Sequence, residues 1–173
     1  ELTVEEQDYL QTVYALLDVH DLFSMTAREV LGYVRASLRA RKELAYTAAV
    51  PEELFIPYVL HPRVNNEYAD GSREWFFCEL KERIKDKSLL DAALEVNLWC
   101  CEQATYQSTD DRTIGPMGMC RRAFGRCGEE STLAVAALRA VGIPARQVYS
   151  PRWAHCDDNH AWVEFWAEDG WHY

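Results

Sequence analysis

Two residues in the last third of the chain combine the side chains and positions that thiol chemistry requires, Cys127 and His160. Cys127 lies between Gly125 and Gly128, directly before the run 132–140, whose small and apolar residues favour a helix. The unpaired N–H groups at a helix start, together with the helix dipole, stabilise a thiolate. Cys127 is therefore a candidate nucleophile.

The helix that follows Cys127 is expected to be buried. It is apolar nearly all round from 132 to 138, whereas a surface helix carries a single apolar stripe. Gly142 is predicted to end it in the left-handed conformation, with Pro144 two residues further on. We therefore predict that Cys127 lies at or just before the first turn of a buried helix.

His160 begins the second half of the constellation. Polar residues precede it over 157–159, and aromatic and β-branched residues follow up to Trp166, a composition typical of a strand. A thiol at a helix start and an imidazole at a strand start can meet across a helix–sheet interface. The pair predicts acyl transfer, in which Cys127 attacks a carboxamide or peptide carbonyl and His160 moves the proton.

Composition limits the partners. At 173 residues the chain is long enough for one domain with a real core. A net charge of -10 argues against nucleic acid and against an anionic membrane surface, and no apolar run is long enough to span a bilayer. No cofactor is expected, because there is neither a Gly-rich phosphate loop nor calcium-loop spacing.

The cysteine content and the first residue say little about compartment. Six cysteines are too sparse for a disulfide scaffold, which weakly favours reduced thiols. The chain starts at Glu1, so the sequence predicts no localisation, and it predicts no oligomeric state either.

The first half of the chain is predicted to be mainly helical. Capping boxes at Thr3 and Thr26 open two helices, and two more are expected over 73–85 and 89–104. We expect 51–68, which is rich in proline, to be an extended loop. On the helix over 89–104, one face is expected to be buried, and its members are Leu90, Ala93, Leu94, Asn97, Leu98 and Cys101.

The second half is predicted to end in strands. After a polar loop over 106–120 and the Cys127 helix, strands are expected over 145–149 and 160–166. A hairpin turn over 168–170 leads into a third strand.

Three motifs in this order and spacing resemble the transglutaminase-like superfamily. They are Gly125-Arg126-Cys127-Gly128-Glu129, then Ala137-Leu138-Arg139-Ala140-Val141-Gly142-Ile143-Pro144-Ala145-Arg146, then His160-Ala161-Trp162-Val163-Glu164 with Gly170-Trp171. The similarity covers about residues 89–173, and 63–67 has a vaguer likeness to bacterial members. The superfamily includes transglutaminases, peptide N-glycanases and bacterial cysteine-protease-like proteins.

The resemblance implies an α+β, papain-like fold with an antiparallel sheet packed on the cysteine helix. It divides the chain into a helical N-terminal region, 1–86, and a transglutaminase-like core, 87–173. It also implies a Cys-His-Asp/Glu triad, in which Cys127 matches the nucleophile and His160 the base. The reaction would pass through a thioester on a protein, peptide or glycopeptide substrate, with hydrolysis and transfer to an amine both open.

Two further roles follow from the resemblance. The Cys127 backbone N–H would donate to the oxyanion, and a second donor is needed upstream, for which Trp99 and Gln103 are candidates. A core position is nevertheless favoured for Trp99. The third triad member lies, in the family, a few residues beyond the Gly-Trp pair. Trp171 is followed by only two residues, so we expect that member to lie outside this chain.

Substitutes for the third member inside the chain are weak. Asp158 is nearest, two residues before His160, but it lies in a predicted turn. Glu164 is about 13 Å along the strand, and Asp169 lies at the hairpin. Because an imidazole without its orienting carboxylate loses control of its tautomer, we expect that this truncated core can be inactive even if the parent protein is an enzyme.

One alternative is a catalytically degenerate member that binds a peptide or glycan. The ligand would bind in an aromatic groove formed by Trp153, Trp162 and Trp166. Such residues are more often core than platform, and the intact Cys127 and His160 count against degeneracy. Reactivity of Cys127 towards iodoacetamide distinguishes this interpretation from an active enzyme, because a binding groove needs no activated thiol.

A second alternative is a zinc-binding module. Its four ligands would be Cys120, Cys127, Cys156 and His160. Structural zinc sites usually pair cysteines two to four residues apart, which these spacings do not match. Zinc analysis of the purified protein decides it.

Overall fold

The structure is a computed structural model that describes residues 1–109, 112–168 and 170–173. Within these residues the helices are α1 (Val4–Leu16), α2 (Val19–Ser24), α3 (Ala27–Glu43), α4 (Glu52–Phe55), α5 (Ser72–Ile84), α6 (Leu89–Gln103), α7 (Pro116–Arg122) and α8 (Cys127–Ala140). The strands are β1 (Thr105–Tyr106), β2 (Phe124–Gly125), β3 (Ala145–Ser150), β4 (His160–Ala167) and β5 (Gly170–His172).

Local capping signals predicted the helix starts correctly. The Thr3 hydroxyl accepts the Glu6 N–H at 3.1 Å, and the Glu6 carboxylate accepts the Thr3 N–H at 2.9 Å, which completes the capping box of α1. Thr26 and Glu29 form the same reciprocal pair at the start of α3. Ser88 caps α6 with its hydroxyl.

The prediction of an extended loop over 51–68 is wrong for its first part. Pro51 caps α4, and a π-helical turn, Ile56–Leu60, follows directly. Proline is compatible with a helix start because no N–H donor is needed there, and Pro57 lies near the start of the π-turn. Phe55, which is 1% exposed, supplies the packing that holds this segment helical.

Helix α6 is buried through a different face from the one predicted. Apart from Ala93, the members of the predicted face are exposed, namely Leu90, Leu94, Asn97, Leu98 and Cys101. Trp99 is buried instead, with its ring centroid 5.4 Å from that of Phe76 in α5. Because α6 carries apolar residues on both faces, the periodicity does not indicate which face is buried. The contact with α5 determines it.

The C-terminal sheet is antiparallel, as the resemblance implies, and its strand order is β3-β4-β5. Its register pairs Ser150 with His160 at one end of β4, and Phe165 with His172 towards the other. Strand β5 therefore borders only the second half of β4. Within the described residues, nothing on β5 lies opposite His160.

Several small elements were not predicted, among them α2, α7, β1 and β2. Helix α7 replaces the end of the loop expected over 106–120, with Pro116 at its first position, where the missing N–H costs nothing. Strands β1 and β2 pair in parallel, with Tyr106 opposite Gly125. This pairing ties the segment after α6 to the residues just before Cys127.

Helix α8 lies at the centre of one continuous apolar cluster. Leu133 and Val135 of α8 are at most 1% exposed, and Val13 of α1 belongs to the same cluster. The core thus continues across the predicted boundary between residues 86 and 87. As predicted, Gly142 follows the helix with a φ of 76°, in the left-handed region.

None of the helices in the part of the chain that the structure describes has the length and hydropathy needed to cross a lipid bilayer.

Candidate active site

Cys127 is the first residue of α8, as the sequence predicts. Arg126, at the N-cap, is extended with φ -84° and ψ 175°, so the chain turns into the helix directly before the thiol. The first N–H groups of an α-helix have no intrahelical acceptor. The Cys127 N–H is therefore available to a substrate oxygen.

Glu129 fixes the loop that carries Cys127. Its carboxylate accepts the Arg126 N–H at 3.0 Å and the Thr109 hydroxyl at 2.8 Å, and it lies 2.8 Å from the Arg122 guanidinium. Burial alone would raise its pKa. The hydrogen bonds from Arg126 and Thr109, together with the adjacent Arg122 guanidinium, outweigh burial and hold the pKa of Glu129 below its usual value.

The glycine before Cys127 has a packing reason. A Cβ on Gly125 would lie 2.6 Å from Sδ of Met119 and 2.9 Å from Oε2 of Glu129. Gly128 is less constrained, because its Cβ would meet the flexible end of the Arg126 side chain at 3.1 Å. Gly125 therefore lets Glu129 approach the loop closely enough to accept the Arg126 N–H.

The structure brings Cys127 and His160 to one cavity of about 280 Å³. His160 is the first residue of β4, and the cavity lies between α6, α8 and this strand. Its polar and thiol-bearing lining consists of Asn97, Cys100, Cys101, Cys127, Glu130, Ser131 and His160. The Cys127 and His160 side chains thus line the same cavity.

The His160 ring belongs to a group of nearly parallel rings. The Trp153 centroid lies 5.6 Å from that of His160 at an interplanar angle of 30°, and Trp162 lies 6.1 Å away at 23°. Both tryptophans line a larger groove of about 700 Å³ that shares His160 with the first cavity. Trp166, the third member of the predicted aromatic groove, is not among its lining residues.

The upstream oxyanion candidates lie elsewhere. Trp99 is 3% exposed and packs against Phe76 and Trp75, so its position contradicts a role in the cavity and matches the core role favoured for it. Gln103 is not among the cavity's lining residues either. Asn97 does line the cavity, although the helical periodicity predicted it on a buried face of α6. The sequence signal for this position was the Asn97 amide itself, because it stands among apolar residues.

No carboxylate inside the described residues orients His160. The Asp158 carboxylate accepts the Asn159 N–H at 2.8 Å instead, and Glu164 pairs with Arg146 at 2.7 Å. Asp169 lies outside the described residues. Among the residues that are described, no hydrogen bond reaches the His160 imidazole.

The other thiols of the chain fall into two groups, and all six cysteines are free. Burial raises the pKa of Cys100 far above its ordinary value and that of Cys120 to about 11. Cys78, Cys101 and Cys156 are exposed. Of these, Cys101 shares the cavity with Cys127.

The four residues considered as zinc ligands do not come together. In the ranges 1–109, 112–168 and 170–173, no group of three or more His, Cys, Asp or Glu side chains is arranged to hold a metal ion. The donor geometry therefore gives the zinc-module alternative no support.

A cysteine at the start of a buried central helix, packed on an antiparallel sheet whose middle strand begins with histidine, defines a papain-like α+β fold of the cysteine proteinase class. The family profile of the Transglutaminase-like superfamily matches residues 79–173, more than half of the chain. The chain belongs to this superfamily, which confirms the resemblance.

The chain is similar to one curated protein and to one solved structure. The human peptide-N(4)-(N-acetyl-beta-glucosaminyl)asparagine amidase is 32% identical over 101 residues, which cover 46% of this chain and 15% of that protein. A crystal structure of a "Putative Cysteine Protease" from Cytophaga hutchinsonii has a TM-score of 0.56 at 19% identity and confirms the fold. That match covers 75% of this chain and 43% of the other. The chain thus spans less than half the length of either relative.

Proposed function

We propose that this domain cleaves amide bonds through a covalent thioester, with Cys127 as nucleophile and His160 as base. The observation that carries this proposal is that the two side chains line one cavity from the starts of a helix and a strand. His160 takes the thiol proton, and the sulfur attacks the carbonyl carbon. The tetrahedral intermediate then expels the amine, which takes its proton from His160.

The oxyanion of that intermediate needs two donors. The Cys127 N–H is one, and the Asn97 side-chain amide is the donor that the cavity offers from α6. Asn97 takes the role for which Trp99 and Gln103 were considered. A carboxamide suits it, because it donates hydrogen bonds without adding charge to the site.

The substrate class proposed is a protein, peptide or glycopeptide. The aromatic groove beside the cavity has room for an extended chain, at about 700 Å³, and it shares Asn97 and His160 with the cavity. The name of the human relative, an amidase of glycosylated asparagine, is consistent with an amide substrate. The acyl group would pass to water or to an amine.

A second candidate is a binding domain that has lost catalysis. It is favoured by one observation, that no carboxylate within the described residues orients His160. The Trp153 and Trp162 rings would then serve as a platform for peptide or sugar faces.

The test is to trap the acyl-enzyme. Incubation with a glutamine-containing peptide alone, followed by acid quenching and mass spectrometry, should reveal an acyl adduct on Cys127 and released ammonia. In a parallel incubation with hydroxylamine, the acyl group should leave Cys127 as a hydroxamate. Cys127→Ser should abolish the Cys127 adduct, the ammonia and the hydroxamate. Tight binding of the peptide without any Cys127-dependent product would favour the binding domain instead.

A further inference from the structure

The first turn of α8 is held by a side chain from the sheet. Gln147 of β3 donates from Nε2 to the Gly128 carbonyl at 2.9 Å and to Oγ of Ser131 at 2.7 Å. Ser131 in turn donates its hydroxyl to the Cys127 carbonyl at 2.5 Å. The Gln147 amide thus reaches the peptide unit of the nucleophile through a single hydroxyl.

Asn65 determines which way this amide points. Its Nδ2 donates to Oε1 of Gln147, which leaves the Nε2 donors of Gln147 facing the helix. A carboxamide has two donors on one side and acceptors on the other. If the amide of Gln147 were reversed, its oxygen would face the Gly128 carbonyl, and two acceptors would oppose each other.

The turn that presents Asn65 is anchored in the N-terminal half of the chain. The Glu67 carboxylate, which is buried, accepts the Val64 and Asn65 N–H groups at 2.7 Å each. Arg63 pairs with Asp21 of α2, whose carboxylate is also buried.

The same turn is bound directly to α8. Arg139 of α8 donates to the Arg63 carbonyl at 2.8 Å. The polar stretch 63–67 therefore lies between the first helices and both ends of the nucleophile helix, which gives this part of the sequence a structural role.

We propose that Gln147 is a positioning residue for Cys127 and that Asn65 orients it, so that the N-terminal helical region sets the reactivity of the thiol. This inference rests on the proposed function and adds a way of controlling the same site. Any change that moves the 63–67 turn would release the amide and loosen the first turn of α8. Neither residue is among those lining the cavity, and both act through the helix.

The test uses two single substitutions of nearly unchanged shape. In Asn65→Asp the new carboxylate accepts but does not donate, so the Gln147 amide is expected to reverse. In Asn66→Asp the same charge is added one residue away, on an exposed residue for which the described structure gives no side-chain hydrogen bond to Gln147 or α8. The readout is the rate of Cys127 alkylation by iodoacetamide from pH 6 to 9, followed by peptide mapping.

We expect Asn65→Asp to slow Cys127 alkylation about five- to tenfold and to change its pH profile, and Asn66→Asp to match the wild type. Gln147→Met keeps the side-chain volume and loses the hydrogen-bond donors, so it should slow Cys127 alkylation to the same extent. If Asn65→Asp does not fold, Gln147→Met alone tests the positioning role. Combined with Asn65→Asp, it should add little further loss.

Two outcomes separate this inference from the proposed function. Wild-type rates in both Asn65→Asp and Gln147→Met, with Cys127 still dependent on His160, would overturn the positioning role alone. A loss in both variants, with Cys127 indifferent to His160→Asn, would keep the positioning role and contradict the proposed function.

Discussion

Cys127 and His160 line the same cavity, one at the first residue of α8 and the other at the first residue of β4. Neither residue depends on a long flexible loop for its position. Arg126, directly before Cys127, donates its N–H to the Glu129 carboxylate, and His160 stands in register with Ser150 on the neighbouring strand.

Replacing Asn97 should separate catalysis from thiol reactivity. Loss of one oxyanion donor typically lowers kcat about 10²- to 10³-fold, and Asn97→Ala is expected to fall in this range. Alkylation of Cys127 by iodoacetamide forms no oxyanion, so its rate should not change. Gln103→Ala is the matched control on the same helix. If Gln103→Ala lowers kcat and Asn97→Ala does not, the donor has been assigned to the wrong residue.

Glu129→Gln should destabilise the fold by about 2–4 kcal/mol, because it leaves Arg122 without its buried partner and weakens the hold on Arg126. Chemical denaturation measures this directly. Glu43→Gln, which removes an exposed ion pair with Arg39, should have little effect.

The destabilisation caused by Glu129→Gln should depend on pH. Because the folded pKa of Glu129 is lowered, its contribution is present above the unfolded value near 4.3 and is lost as pH falls through the folded pKa. The difference in unfolding free energy between wild type and Glu129→Gln should therefore be largest above about pH 5 and shrink towards pH 3. A difference that grows on acidification would contradict the assigned role.

Two glycine-to-alanine changes should have opposite signs. Gly125→Ala forces a Cβ to within 2.6 Å of Met119 and 2.9 Å of Glu129, so we expect a loss of about 1–3 kcal/mol. Gly32→Ala, on an exposed face of α3 with nothing within 4 Å of the new Cβ, should stabilise by about 0.5–1 kcal/mol. Thermal unfolding of both variants tests the pair, and a neutral Gly125→Ala would show that the loop can adjust.

Glu130 is the one acidic residue among the described residues that line the Cys127 cavity. A cationic methanethiosulfonate should therefore modify Cys127 faster than an anionic one, by about three- to tenfold. Glu130→Gln should narrow that ratio, whereas Glu53→Gln, remote and exposed, should not. Because burial raises the pKa of Glu130, the preference should fade on acidification at a higher pH than for an ordinary glutamate. An unchanged ratio in Glu130→Gln would contradict this.

The sequence predicted what local chemistry determines. The capping boxes, the left-handed Gly142, the start of α8 at Cys127 and the start of β4 at His160 all depend on residues close together in the chain. The three family motifs supplied the fold in the same way, because their order and spacing are properties of the sequence itself.

What the sequence could not supply depends on contacts between distant elements. The face of α6 that is buried depends on Phe76, and that choice decides that Asn97 and not Trp99 reaches the cavity. The helical turns after Pro51 follow from the burial of Phe55, against the local preference of a proline-rich segment. The link from Asn65 to Gln147 joins segments far apart in the chain and has no local signal at all.

The most direct test of the central claim is the pH dependence of Cys127 alkylation in a Cys101→Ser background, which removes the exposed thiol that shares the cavity with Cys127. The account predicts rapid modification of Cys127 below pH 7, and predicts that His160→Asn abolishes this reactivity. It would be contradicted if Cys127 titrated like an ordinary thiol near pH 8.5 and behaved identically with and without His160.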